Sequence, residues 1–338
     1  MTAPVQDQTS NSDASRLSIG QNYAPGRHQG TADPVRYLVV VAATLFFTAA
    51  GILGVLWGLD IAGRKPPPAF TNSNRFDAKL EFLRDTPPIR PTHLVVESSM
   101  AWRNLAVETV TKQHPNAKPL NGAFCGLSMN QIAFTTCFLL KRFPTATDVR
   151  LLLDPFDMSA CRSKKTDIFD SADVSAYLSG ADDLSFYFST SMSTRSSKTH
   201  LALNRCSPPK APLDNHELRD LVYGPAPIIQ PACETALAAF ATDVEKSGKR
   251  LFVVTMPLLS DWSDKYDPDS RAKAQLASVI GRALDGTSAT FWDGWSKIVL
   301  PTEYYSDATH LQGKAVPGFT RQLVNLVSAC NATFTSGK

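Results

Sequence analysis

The chain has 338 residues, 43% of them hydrophobic and 19% charged, which is enough apolar side chain for a folded core and excludes a wholly disordered protein. Its net charge is only +3, and it contains no long basic run, so the composition excludes a nucleic-acid partner as the leading reading.

Residues 1–36 open the chain as an expected disordered cytoplasmic tail. Through residue 33 they are rich in Ser, Gln, Asn, Asp and Thr, with little to bury. Residues 37–59 (YLVVVAATLFFTAAGILGVLWGL) then carry no charge. At helical rise this run is long enough to cross a hydrocarbon layer of about 30 Å. A cleaved signal peptide has a short basic start and a shorter apolar stretch, so the segment is expected to be an uncleaved transmembrane anchor. Gly54 and Gly58 within it form a GxxxG pair, a spacing that lets a second membrane helix approach closely and that is also simply common in membrane helices.

Basic residues do not orient the anchor, because Arg16, Arg27 and Arg36 precede it while Arg64 and Lys65 follow. The cysteines do. All six (Cys125, Cys137, Cys161, Cys206, Cys233 and Cys330) come after the span, and an even number on one side suits an oxidising compartment with up to three disulfides. Zinc is disfavoured, since no CxxC pair exists and no His lies at ligand spacing from a Cys. The expectation is a single-pass protein of the bacterial inner membrane with its main domain on the periplasmic side.

After the span, residues 60–90 read as a Pro-rich stalk (RKPPPAF) and connecting segment. The main domain is expected over 91–330, with a short tail at 331–338. Apolar runs at 94–96, 149–153, 251–255 and 290–292 read as buried strands. Amphipathic stretches at 129–143, 231–246 and 271–284 read as helices between them. Such alternation predicts an α/β domain with a parallel sheet covered on both faces. A Ser-, Asp- and Pro-rich segment, about 158–230, interrupts the alternation as an insertion.

Chemistry in such sheets gathers at the carboxyl ends of the strands. In HLVVESSMAWRNL, the first strand runs into Glu97-Ser98-Ser99 before a helix opens at Met100. A serine there has an exposed hydroxyl beside free helix amides that can stabilise an oxyanion. Serine is also a favoured helix N-cap, so the position alone leaves nucleophile and cap both open. Near the other end, YYSDATHLQG places Asp307 three residues before His310, ahead of the final helix. A turn of this form supplies both the base and the acid that a serine nucleophile needs. The remaining histidines lack a carboxylate at this spacing.

Serine after the first strand and D-x-x-H before the last helix resemble the SGNH (GDSL-like) hydrolase superfamily. More closely, the chain resembles its membrane-anchored branch, the alginate O-acetylation proteins and the D-alanine transfer protein of teichoic acid synthesis. That resemblance implies a flavodoxin-like three-layer domain with Ser99 as nucleophile, His310 as base and Asp307 as its orienting acid. The N-x-x-x-x-G block matches Asn121 through Gly126, which implies binding or oxyanion roles for Gly126 and Asn121, with Ser98 supporting the turn. LLLDPFD and VVTMPLL resemble the third and fourth strands of the branch. Glu97 stands where the family has glycine, and the family's G-x-N-D block is absent.

The resulting expectation is a membrane-anchored, serine-dependent O-acyltransferase, acetyl being the expected group, that modifies an extracytoplasmic polysaccharide. The resemblance also implies a multi-spanning membrane O-acyltransferase as partner and no cofactor. A cell-envelope carbohydrate esterase uses the same residues, and a non-catalytic scaffold of a polysaccharide export or modification complex is the remaining alternative. Trp102, Trp262, Trp292 and Trp295 are candidates for stacking on sugar rings or for the core.

Overall fold

The computed structural model describes residues 33–71, 73–85, 90–181, 186–187 and 224–335, the last ten by backbone alone. The expected tail through residue 32, most of the insertion, Cys206, His200 and His216 lie outside the described residues. The chain divides into two units, Met1–Lys65 and Pro66–Lys338.

In the first unit, α1 spans Pro34–Ile61, slightly longer at both ends than the charge-free run. Asp33 starts it, its side chain accepting from the Val35 N–H at 3.1 Å, and Pro34 occupies the first helical position, where a missing N–H loses no hydrogen bond. The helix is long and apolar enough to cross a membrane, and none of its residues is buried.

The second unit is built on five parallel strands: β1 (His93–Val96), β2 (Pro119–Asn121), β3 (Asp148–Leu153), β4 (Arg250–Thr255) and β5 (Thr290–Trp292). Their order is β2-β1-β3-β4-β5, the doubly wound flavodoxin-like arrangement. Four of the five coincide with the expected apolar runs. The short β2 was not expected, because Pro-Leu-Asn carries no apolar run. Val149, Leu151, Leu152 and Leu153 of β3 are all buried, as a strand with both sheet faces covered requires.

Between β1 and β2 run α3 (Met100–Asn104) and α4 (Val107–Gln113). The crossovers to β3, β4 and β5 carry α5 (Met129–Arg142), then α6 (Ser171–Leu178) with α7 (Pro231–Lys246), then α8 (Ser260–Tyr266) with α9 (Arg271–Leu284). After β5 come α10 (Gly294–Lys297) and α11 (Val316–Thr335). The helices α5, α7 and α9 pack side by side, and α11 packs with α4 and α3. Right-handed crossovers in this strand order put those two groups on opposite faces, which makes three layers. In α9, Leu276, Val279, Ile280 and Ala283 are buried, the three-and-four spacing of one helical face.

Two boundaries differ from the expectation. Within the expected stalk and connecting segment, α2 (Asn74–Asp85) forms and buries Leu80 and Leu83 in the main core, so this stretch belongs to the domain. At the other end, α11 continues to Thr335 through residues expected as tail. Of the cysteines, Cys161 pairs with Cys233, Cys125 is also disulfide-bonded, and Cys137 is a free thiol.

Candidate active site

The site lies at the carboxyl end of β1, where the neighbouring strands β2 and β3 fall to either side. The chain leaves β1 through Glu97, Ser98 and Ser99 and enters α3. Ser99 is the N-cap of that helix by position, yet its side chain makes no capping hydrogen bond. Its Oγ lies 2.9 Å from His310 Nε2. On the other side of the imidazole, Nδ1 lies 2.8 Å from Asp307 Oδ2 and 3.0 Å from Oδ1. Ser99, His310 and Asp307 thus form one hydrogen-bonded chain.

The loop carrying His310 and Asp307 is held from within. Tyr305 and Leu311 pair as an antiparallel bridge, and the His310 carbonyl accepts from the Ser306 N–H at 2.8 Å. Asp307 Oδ1 also accepts the N–H groups of Thr309 (2.9 Å) and His310 (2.7 Å). Burial works against the Asp307 carboxylate, but hydrogen bonds and attraction from His310, with the two amides, hold it below the usual carboxylate range. It is therefore ionised where the imidazole needs an anion. His310 itself is fully buried.

A residue that sequence reasoning missed fixes this loop to α3, the helix that follows Ser99. Asn104, the last residue of α3, donates from Nδ2 to the Thr309 carbonyl at 3.0 Å, and its Oδ1 accepts from the Leu311 N–H at 2.9 Å. These bonds grip the backbone on both sides of His310. The only sequence signal was an asparagine closing a short helix.

The other expected site residues divide. Ser98 is buried and its hydroxyl donates to Asp157. Asn121 spends both ends of its amide on backbone, donating to the Ala101 carbonyl (2.8 Å) and accepting from the Ala123 N–H (3.1 Å). It thereby braces α3. Its own carbonyl accepts from Lys79 Nζ at 2.7 Å, which ties α2 into the same support. Gly126 adopts φ of 73°, a left-handed conformation natural to glycine, and its carbonyl accepts from Lys164 Nζ at 2.7 Å. Among the described residues the N–H groups of Ser99 and Gly126 donate to nothing. Earlier in the same loop, a Cβ on Gly122 would lie 2.7 Å from a Leu139 methyl and 2.8 Å from a Leu94 methyl, so only glycine lets this loop run against β1.

Three buried carboxyl groups, Glu97, Asp154 and Asp157, cluster by the turn that carries Ser99. Asp154 and Asp157 occupy the turn after β3, where Asp154 Oδ1 accepts the N–H groups of Phe156 (2.7 Å) and Asp157 (3.1 Å). Burial pushes Asp154 up to about 6. Burial and then the charge of Asp154 push Asp157 well above the carboxylate range. Glu97, almost fully buried, is raised strongly by burial and by both aspartates. Among the described residues no group of His, Cys, Asp and Glu is arranged to hold a metal ion.

Of the tryptophans, Trp262, Trp292 and Trp295 are buried, and Trp262 packs against Phe156, Tyr266 and Trp295. They belong to the core and not to a sugar-stacking surface. Trp102 is half-buried on α3.

No family model matches the chain, and no curated protein matches it. Among solved structures it is similar to a carbohydrate acetylesterase family member from Sinorhizobium meliloti, at 13% identity over 70% of this chain and 97% of that one, with a TM-score of 0.35. It is also similar to a GDSL-like lipase from Bacteroides thetaiotaomicron, at 10% identity over 76% and 99%, with a TM-score of 0.37. An aryl esterase from M. smegmatis gives 12% identity over 70% and 99%, with a TM-score of 0.35. At such identities and TM-scores these likenesses decide nothing about the chemistry, which rests on the residues above.

Proposed function

We propose that the protein is a membrane-anchored serine-dependent O-acyltransferase of the SGNH type, carrying an acyl group, acetyl in the first instance, onto an extracytoplasmic polysaccharide. The observation that carries this reading is the Ser99–His310–Asp307 chain, with 2.9 Å between Ser99 Oγ and His310 Nε2 and 2.8 Å between His310 Nδ1 and Asp307 Oδ2.

In this reading Ser99 Oγ attacks the acyl carbonyl while His310 Nε2 takes its proton. Asp307 holds the imidazole in the tautomer with Nδ1 protonated and stabilises the imidazolium that forms. The carbonyl oxygen becomes an oxyanion, for which the free N–H groups of Ser99 and Gly126 are the candidate donors. His310 then returns the proton to the leaving oxygen, and the acyl group remains as an ester on Ser99. A sugar hydroxyl, deprotonated by the same imidazole, attacks that ester and frees the serine. If water takes the sugar's place the residues and steps are the same and the protein is an esterase. A multi-spanning membrane acyltransferase partner supplying the acyl group belongs to this proposal through the resemblance noted above. The anchor-length helix α1 and the Cys161–Cys233 disulfide support placement at a membrane with the domain on an oxidising side.

The test is an acyl-enzyme trap. Full-length protein in detergent is incubated with p-nitrophenyl acetate, and intact-mass and peptide analysis look for one acetyl group on Ser99. Ser99→Ala should abolish the adduct, His310→Ala should slow its formation by about 10³-fold or more, and the double variant should be little worse than Ser99→Ala, because groups acting as one unit are strongly non-additive. Turnover and labelling that persist in Ser99→Ala would refute the assignment. Adding oligosaccharide to the acetylated enzyme separates transfer, seen as an acetylated sugar, from hydrolysis, seen as free acetate.

A further inference from the structure

Ser99 holds the N-cap position of α3 and does not cap it. A serine in that position normally turns its hydroxyl onto the free amides of the first helical turn. The nearer of those amides is already taken. The Ala101 N–H donates to Glu97 Oε2. Glu97, two residues before the N-cap position, therefore does the work of the cap.

We propose that Glu97 is a positioning residue that caps α3 in place of Ser99 and so leaves the Ser99 hydroxyl free for His310. This rests on Ser99 being the nucleophile. Several features of the turn fit the role. Glu97 is almost fully buried, so its carboxyl has no water to compete for it. Its own carbonyl accepts the Phe124 N–H at 3.2 Å, which fixes the backbone from which the side chain reaches. Ala101, which donates the capping bond, has its carbonyl bonded to Asn121, so the first turn of α3 is held at both ends of that residue. Ser98 is drawn away from the same amides by Asp157, which leaves Ser99 and Glu97 as the two groups competing for them.

The groups facing the Glu97 carboxyl are anionic in type, Asp157 and Asp154 from the turn after β3. With them and the burial around it, the neutral form of Glu97 is favoured well beyond that of an ordinary glutamate. A neutral acid caps through its carbonyl oxygen, and its second oxygen, Oε1, makes no hydrogen bond among the described residues. Glutamine reproduces that group in shape and charge, whereas alanine removes it and aspartate falls one methylene short of the Ala101 N–H.

The departure at this position from the glycine found in the resembling family thereby acquires a physical meaning. With glycine there is no side chain to occupy the helix amides. Here a carboxyl occupies them and keeps the serine's rotamer pointed at the base.

Glu97→Gln, Glu97→Asp and Glu97→Ala are made in the full-length chain beside Ser99→Ala, and each is assayed for p-nitrophenyl acetate turnover and for Ser99 labelling by a fluorophosphonate. Glu97→Gln is expected to stay within about threefold of wild type. Glu97→Ala and Glu97→Asp are expected to lose about 10²-fold in kcat and in labelling rate with KM little changed, the scale of a misplaced reacting group. Should Glu97→Ala not fold, Glu97→Asp carries the same comparison. Turnover in Glu97→Asp equal to wild type, or in Glu97→Gln as low as in Glu97→Asp, overturns the capping role. Loss of labelling in Ser99→Ala with full activity in every folded Glu97 variant sinks this inference alone, whereas labelling that survives Ser99→Ala sinks the assignment of the nucleophile.

Discussion

Asn104 offers the sharpest test of how the site is held together. Its amide bonds the Thr309 carbonyl and the Leu311 N–H, both buried in the loop that carries His310. Asn104→Ala removes both partners and opens no path for water to replace them. A buried polar group left unsatisfied costs about 1–3 kcal/mol, so the two together should destabilise the domain by about 2–6 kcal/mol. At roughly 2–4 °C per kcal/mol for a domain of this size, the melting temperature should fall by about 4–24 °C. Activity should fall further than stability explains. Once the loop loosens, the imidazole drifts relative to Ser99, and an ångström of drift costs about 10²-fold in rate. Thermal unfolding and ester turnover of the full-length chain, assayed well below the melting temperature, separate the two effects. Asn104→Asp is the matched control. As an acid it can still donate to the Thr309 carbonyl, but once ionised it opposes that carbonyl with a negative oxygen. Its deficit should therefore grow as pH rises above the ordinary aspartate range. A melting temperature and a turnover in Asn104→Ala both indistinguishable from wild type would refute the view that this residue holds the catalytic loop.

Two other predictions rest on different parts of the fold. The Cys161–Cys233 disulfide closes a separation of 72 residues, and the chain-entropy account gives such a closure about 4 kcal/mol; the double replacement Cys161→Ser with Cys233→Ser should lower stability by about 2–4 kcal/mol in denaturant titration, and an unchanged midpoint would contradict it. Asp77 of α2 is buried, and burial pushes it up to about 7 despite hydrogen bonds from Thr71. The fold therefore favours its protonated form, and the protein loses stability as pH rises from about 4 to 7. Asp77→Asn keeps an acceptor for Thr71 and removes that loss, so it should match wild type near pH 4 and exceed it at pH 8 by about 4 kcal/mol, taking 1.36 kcal/mol per pKa unit. A difference between the two that does not change with pH would refute the assignment.

The sequence made the sheet largely legible because each main strand is a short run of Val, Leu, Ile and Phe bounded by polar residues, the pattern of a strand buried on both faces. β2 was invisible for the converse reason: three residues, one of them proline, carry no period. Asp307 and His310 were legible because their partnership is local, three residues within one turn. The role of Ser99 was not, since a helix cap and a nucleophile look alike in sequence. What favours the nucleophile reading is a contact made across 211 residues, together with a carboxyl at position 97 that accepts a helix amide. Asn104 was hidden for the same reason, as both its partners lie more than 200 positions away. The tryptophans mislead in the opposite direction, because indole is equally at home beside sugar and inside a core, and only packing distinguishes them.

On the proposed function, the distance between nucleophile and base along the chain also fixes when the site comes into being. Ser99 follows the first strand, while His310 and Asp307 arrive only after the fifth strand has been laid down and just ahead of α11, which packs on α3 and α4. A chain emerging N-terminus first therefore presents its hydroxyl to the surroundings long before any imidazole exists to activate it. Reactivity is the last property the growing chain acquires, and a product that stops short of residue 305 carries a correctly begun sheet with an inert serine at its edge.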